Sequence, residues 1–372
     1  MKWVFWIAVG LISYTYVGYA CWLRLRLLWR YRPVMRGMIT PSVSIVMVVR
    51  NEESVLEAKL LNLLALNYPA CQIIVVSDGS TDQTERILRD FASRSGVQVI
   101  LNQLPRGKAS GLNDAMQVAS GDIVVFTDAR QKIEPGALRL LAENFADPEV
   151  GCVSGELMLG DAAVGESNRG LSLYWQIEKQ VRELEAASGS VVGATGALYA
   201  VRRDLLTDLP PGTILDDVYL PMQVVRQRKR VIFDPRARAW DTPDLGGPRE
   251  FSRKVRTLYG NYQLLQLAPW LLSNHNPLRF EFVSHKLLRL AIPFALAAVL
   301  LTSFALNGLF YRSVLVLQLS FYVLSALALN HMVKRGVLAR IADASATFVL
   351  LNGAAMMALV NFVAGRRAQW TR

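Results

Sequence analysis

Val43-Ser44-Ile45-Val46-Met47-Val48-Val49 is a short apolar run, rich in β-branched residues, and the polar Arg50-Asn51-Glu52 ends it. Such a run reads as a strand buried on both faces, the habit of parallel sheets. A helical period follows through Val55, Leu56, Leu60, Leu63 and Leu64, and Asn67-Tyr68-Pro69 stops it. Gln72 to Val76 gives a second strand, which runs into Ser77-Asp78-Gly79-Ser80-Thr81-Asp82. Asp82, with Glu85 three residues on, reads as the capping box of a helix carrying Ile87, Leu88 and Phe91. Val97 to Leu101 and Asp122 to Thr127 are further strands, with a helix over Ala109 to Val118 between them. Alternation at these lengths predicts βαβ units, an α/β domain with a mainly parallel sheet whose ligands gather beyond the carboxyl ends of the strands. The polar residues to inspect therefore follow the strands: Arg50-Asn51-Glu52, Asp78-Gly79-Ser80 and Asp128-Ala129-Arg130.

Outside this domain the chain is too apolar for an ordinary soluble protein: of 372 residues 52% are hydrophobic and 19% charged. Four windows free of Asp, Glu, Lys and Arg are long enough to span a bilayer: Trp3 to Leu23, Leu290 to Tyr311, Ser313 to Val333, and Ala344 to Gly365. The first exceeds the apolar stretch of a signal peptide and has its positive charges after it, which predicts a retained anchor. Arg24, Arg26, Arg30, Arg32 and Arg36 follow it against Lys2 before it, so residues 24 to 289 are expected on the cytoplasmic face. Lys286 and Arg289 mark entry to the second span, and the loop with Lys334, Arg335 and Arg340 is cytoplasmic by parity. Four full crossings would leave Arg366, Arg367 and Arg372 outside, against the rule; the last segment is either re-entrant or interfacial, or those arginines are a weak late signal. The juxtamembrane arginines account for much of the net charge of +11 through anionic headgroups, so nucleic acid need not be invoked. Cys21, Cys71 and Cys152 are too few and too scattered for a disulfide framework or a structural zinc site, which fits a reducing compartment.

No GxGxxG follows the first strand, and Gly107-Lys108 lacks the upstream glycine and the following Ser or Thr of a P-loop. That excludes the common dinucleotide and P-loop designs. Glu52, Asp78 and Asp128 converge at successive strand ends. Such a cluster suits a nucleotide sugar, with carboxylates on ribose and base and one on a divalent cation at the diphosphate.

Val48-Val49-Arg50-Asn51-Glu52-Glu53, Ser77-Asp78-Gly79-Ser80-Thr81-Asp82, Arg106-Gly107-Lys108-Ala109 and Thr127-Asp128-Ala129, in this order, resemble the nucleotide-binding half of a family 2 glycosyltransferase. The resemblance is to the membrane-bound branch with the GT-A fold that holds cellulose, chitin and hyaluronan synthases, and it runs from about Pro41 to Leu265. It implies that Glu52 and Asp78 contact the uridine, that Lys108 lies near the diphosphate, and that Asp128 belongs to a DxD motif holding Mg²⁺ or Mn²⁺. Arg130 replaces the second acid of that motif, either offsetting diphosphate charge itself or pointing to solvent. The turn Gly193-Ala194-Thr195-Gly196-Ala197-Leu198-Tyr199 is similar to the stretch that lines the acceptor site. Leu215-Asp216-Asp217 resembles the Thr-Glu-Asp motif, which implies Asp217 as catalytic base and Asp216 on the acceptor. At adjacent acids opening a helix, capping and dipole stabilisation is the plain alternative. Arg253-Lys254-Val255-Arg256-Thr257 stands where the family has QxxRW. Arg256 matches, while Arg253 replaces Gln and Thr257 replaces the Trp associated with a growing polymer, so processive synthesis does not carry over.

The expectation is an integral membrane glycosyltransferase of the plasma membrane. Its organisation is a first span (1–23), a basic linker (24–40), a cytoplasmic GT-A domain (41–250), basic and interfacial helices (251–289), about three spans (290–365) and a tail (366–372). Asp217 is the expected base, Glu52, Asp78, Lys108, Asp128, Arg253 and Arg256 the expected donor contacts, Gly196 and Asp216 the acceptor contacts, and Asp128 the metal ligand. The expected partners are a nucleotide sugar, a saccharide or lipid-linked acceptor, membrane lipid and an export or assembly complex. An inactive nucleotide-binding subunit of such a complex is the alternative. The uncharged Tyr259 to Leu272 stretch reads equally as interfacial or as core, and His275 and His285 as hydrogen-bonding residues near the membrane.

Overall fold

A computed structural model of the chain describes residues 1–94, 96–161, 166–167, 172–242, 248–330, 332–333 and 336–366. Its centre is a nine-stranded sheet: β1 Val43–Val49, β2 Cys71–Asp78, β3 Val97–Asn102, β4 Ile123–Phe126, β5 Lys132–Ile133, β6 Val150–Asp161, β7 Glu166–Ser167, β8 Tyr199–Arg202 and β9 Arg230–Asp241. They lie in the order β3-β2-β1-β4-β8-β6-β9-β5, with β7 on β6. β3, β2, β1 and β4 are parallel. β8 then runs antiparallel to β4 and β6, and β9 parallel to β6. β1 lies in the parallel half with all seven residues buried, as its unbroken apolar run requires.

The domain's helices are α1 Glu53–Leu64, α2 Thr84–Ala92, α3 Lys108–Val118, α4 Ala137–Glu143, α5 Ser172–Ser188, α6 Asp216–Arg226 and α7 Pro248–Leu267. α1 buries Leu56, Leu60 and Leu63 on one stripe, and Lys59 with them. Ahead of α2, Asp82 Oδ1 accepts the Thr84 N–H at 3.0 Å, while Glu85 pairs with Arg89 at 3.2 Å within the helix.

Among the described residues, four helices are long and apolar enough to cross a membrane: Lys2–Arg26, Arg279–Ala305, Leu309–Leu329 and Gly336–Val363. The second begins at Arg279, well before the expected Leu290, and the chain turns over 306–308, inside the expected 290–311 window. Phe5 packs on Phe310 and Tyr311, so the far ends of the first and third helices meet away from the sheet. The fourth starts against the end of the third, Ala342 and Ala346 beside Ala328. Phe362, at its other end, packs on Tyr259 and Tyr262 of α7 with ring centroids 5.6 and 5.4 Å apart. Lys334, Arg335, Arg367 and Arg372, which carried part of the orientation argument, lie outside the described residues.

The basic run after the first span is not a free linker facing only lipid. Arg26 is buried and forms a salt bridge with Glu281, and its Nη2 donates to Ser188 Oγ at 2.6 Å. Arg32 pairs with Glu149 at 2.8 Å, and Arg36 donates to Asn144 Oδ1 at 3.0 Å. The backbone is held too: the Arg32 N–H donates to Ala187 O at 2.8 Å, and Arg230 Nη2 returns a bond to Arg32 O at 2.8 Å. Arg36 Nε also lies 3.8 Å from Asp234 Oδ2 of β9, so much of the run is spent on the domain.

Candidate active site

Because β1, β2 and β4 are parallel, their carboxyl ends share one edge. β8 is antiparallel to β4, so the turn that opens it arrives at that same edge. The first two stations interlock. Asn51 adopts φ +54°, a left-handed conformation its short polar side chain tolerates, and its Oδ1 accepts the Thr81 N–H at 2.8 Å. The Glu52 N–H donates to Thr84 Oγ1 at 2.8 Å, leaving its side chain half-buried at the rim.

Asp78 is fully buried. Its Oδ1 accepts the Arg106 N–H at 2.7 Å and its Oδ2 the Gly107 N–H at 2.9 Å. Both oxygens thus hold the loop that delivers Lys108. Gly79 makes room for that loop: at φ +63° an added Cβ would lie 2.7 Å from Pro105 N, too close for any side chain.

Lys108 opens α3 and reaches Asp128 Oδ1 at 2.9 Å and Asp216 Oδ1 at 3.1 Å. Burial works against its charge, but Asp128 and Asp216 outweigh that and hold the ammonium above the usual lysine range. Asp216 also accepts from the buried Tyr199 hydroxyl at 3.4 Å, and the Tyr199 ring stacks on Phe126 with centroids 4.7 Å apart. Asp217 is the next residue. Its Oδ2 accepts the Gly196 N–H at 3.1 Å, and its main-chain carbonyl accepts the Ala194 N–H at 2.7 Å. Burial raises the Asp217 carboxyl to about 6, Asp216 adding to the effect and Lys108 and Lys286 opposing it. A Cβ at Gly196 would stand 3.4 Å from Asp217 Oδ2 and 3.5 Å from Asp128 Oδ2, so anything larger than glycine would fill the gap between the two carboxylates.

Lys108, Asp128, Gly196, Asp216 and Asp217 therefore meet in one hollow. Arg256 joins from α7: burial lowers its pKa, and the charges of Asp216, Asp128 and Asp217 oppose that. Arg253 lies one turn earlier on the exposed side, its carbonyl accepting Thr257 Oγ1 at 3.0 Å. Arg130 is not loose in solvent. Its Nη2 donates to Asp241 Oδ2 at 3.1 Å, beside Gln131 Nε2 at 3.0 Å, because β9 ends where the loop after β4 passes. Lys59 was not foreseen as part of this region. Burial pushes its pKa down to about 7, with Asp128 opposing, and only its place on an apolar helical stripe marks it in the sequence.

Among the described residues no three His, Cys, Asp or Glu side chains are grouped to hold a metal ion. Asp128, with 41% of its side chain exposed against 4% for Asp216, is the acid that a cation could reach, in competition with the Lys108 ammonium that pairs with both. One hard carboxylate fits a divalent ion that takes its other ligands from phosphate and water.

Residues 44–209 match the sequence profile of the family described as Glycosyl transferase family 2. The poly-beta-1,6-N-acetyl-D-glucosamine synthase of Staphylococcus epidermidis is 24% identical over 280 residues, 72% of this chain and 64% of that one. The Staphylococcus aureus synthase of the same name is 25% identical over 229 residues, 60% of this chain and 55% of that one. The chain thus spans 64% and 55% of the length of these curated relatives. A solved mannosyltransferase from Pyrobaculum calidifontis, in complex with GDP-Man and Mn2+, superposes with a TM-score of 0.74 at 23% identity, over 98% of this chain and 99% of that one. The likeness shows the fold, a GT-A type mixed sheet.

Proposed function

We propose that this chain, which carries a glycosyl transferase family 2 domain beside apolar helices of membrane-spanning length, is an inverting glycosyltransferase of the plasma membrane with its catalytic domain in the cytoplasm. It takes a sugar from a nucleotide sugar, UDP-linked by the resemblance of its motifs, and gives it to a saccharide or lipid-linked acceptor. The observation that carries this reading is Asp217, a carboxyl near pKa 6 held by the Gly196 N–H beside the Lys108, Asp128 and Asp216 cluster. A base is most useful when its pKa lies near the working pH, and Asp217 is tuned toward it. The acceptor hydroxyl attacks the anomeric carbon and loses its proton to Asp217. The bond from that carbon to the diphosphate oxygen breaks, and its electron pair leaves with the nucleotide.

Lys108 and Arg256 face the charge that builds on the departing diphosphate, with Arg253 at the outer rim. Asp128 would hold a divalent cation, Mg²⁺ or Mn²⁺, which supplies Lewis-acid stabilisation of the diphosphate when bound. Asp78 acts on the donor through the loop it fastens, and Glu52 stands at the nucleotide rim. The likeness to polysaccharide synthases supports membrane polysaccharide or glycolipid synthesis. The intact Asp128, Asp216 and Asp217 hollow speaks against an inactive export subunit. Purified protein in lipid nanodiscs, supplied with a panel of nucleotide sugars, should release nucleoside diphosphate from at least one, and product size separates single transfer from polymerisation. Release from none, with the protein folded, overturns the proposal.

A further inference from the structure

α1 carries a charged group into the core beneath the site. Lys59 is 3% exposed and shares its stripe with Leu56, Leu60 and Leu63. Its Nζ donates to Thr127 Oγ1 at 2.9 Å and to the Gln131 carbonyl at 2.6 Å, both neutral partners. In its ammonium form Lys59 has donors only, so Thr127 Oγ1 then accepts from it and directs its own proton elsewhere. Ala197 O receives that proton at 2.9 Å, the Asp128 carbonyl at 3.3 Å being the longer alternative. Ala197 follows Gly196, whose N–H holds Asp217 Oδ2.

One side chain thus joins two pieces of the site. Through Thr127 and Gln131 it clasps the loop that carries Asp128, and through Thr127 and Ala197 it reaches the turn that holds Asp217. A buried ammonium without a bonded carboxylate is costly, and the apolar stripe around it would accept Leu or Met. A residue that stability alone does not favour points to a task in the site.

We propose that Lys59 is a positioning residue that sets Asp128, on the donor side, against Gly196 and Asp217, on the acceptor side. The inference rests on the reading of this hollow as a glycosyl-transfer centre.

The test uses the full chain in nanodiscs as wild type, Lys59→Met, Thr127→Val and the double variant. The double variant removes both partners of the Lys59–Thr127 bond with their shapes kept but takes the donors from the Gln131 and Ala197 carbonyls, so it should fold and melt moderately below wild type. Its kcat should nevertheless fall at least tenfold, and its acidic limb should move to higher pH as Asp217 loses the ordered Gly196 N–H. Wild-type kcat and an unmoved limb in the double variant overturn the proposal. So does a Lys59→Met variant that loses melting temperature and kcat together and regains both on adding Thr127→Val, which is plain packing. If the double variant does not fold, Thr127→Val alone, which cuts the relay to Ala197, is read the same way. A wild type that turns over no donor sinks the reaction reading instead. In that case the affinity for UDP with Mn²⁺ decides: at least fivefold weaker in the double variant supports Lys59, and unchanged affinity overturns it.

Discussion

Asp217 must be ionised before it can take a proton, and its raised pKa of about 6 makes two outcomes testable together. Turnover should fall about tenfold per pH unit below that value, and Asp217→Asn should lower it at least ~10²-fold at pH 7 to 8, with the gap closing toward acid pH, while nucleotide binding survives. The stability sign is opposite. A carboxyl raised from an ordinary 3.8 favours its protonated form in the folded chain, so the wild type loses stability as pH rises through about 6. Asp217→Asn should therefore melt above wild type at pH 7 to 8, with the gain gone below about pH 4; thermal scans across pH check it, and equal melting curves would remove the burial argument. Arg130 was read on the spacing of a motif, yet its partner Asp241 lies 111 residues away, a contact that no local pattern encodes. With 40% of the Arg130 side chain exposed, Arg130→Ala should cost about 0.2–1 kcal/mol and leave the metal midpoint of turnover unmoved. A shifted midpoint would return Arg130 to the diphosphate. Lys59 escaped notice for a related reason: the helical period treats a lysine between Leu56 and Leu60 as outward, and only the packed structure shows it inside.

At the level of elements, the parallel half of the sheet was legible because buried strands leave continuous apolar runs bounded by turns. β1 was read to its exact start at Val43, and β2 and β3 within two residues. In the other half only the turn into β8 at Tyr199 was legible, since β6 and β9 are twelve-residue strands with register shifts and mixed polarity, such as Arg230, Asp234 and Arg236 within β9. α5 also went unread, and it is an element that meets the first two long apolar helices. Glu178 Oε1 lies 3.0 Å from His285 Nε2 and its Oε2 2.6 Å from Arg289 Nη1, while Glu185 Oε1 accepts from the Tyr19 hydroxyl at 2.6 Å and lies 2.9 Å from His285 Nδ1. Burial opposes the Glu178 charge, but Arg289, His285 and Arg182 hold the carboxyl well below its usual range. Such clusters are unforgiving of a missing member. His285→Ala leaves two buried carboxylates facing each other and should cost about 3 kcal/mol, read as a drop in melting temperature in detergent, whereas an unchanged melting temperature would show that the cluster is not coupled to folding.

For the whole molecule, the course of the fourth long helix bears on where the chain ends. Its start meets the end of the third helix, whose own start lies away from the sheet, and its Phe362 meets α7, so the fourth helix both begins and ends toward the domain's side of the apolar helices. A reporter fused within residues 24 to 289 should register as cytoplasmic, and one fused after Arg372 should register on the same side, not the opposite side that four full crossings require. Opposite signals from the two fusions would restore the crossing count. The strap that follows the first span matters at this scale as well. A loose tether of 17 residues, 24 through 40, would let a domain wander on the order of 20 Å from its anchor. Fastened by Arg26, Arg32 and Arg36, it grants no such play. Under the proposed function, that sets the height of the transfer centre above a bilayer as a fixed length of the molecule, and an acceptor would then be selected by how far it stands out from the lipid as much as by which hydroxyl it offers.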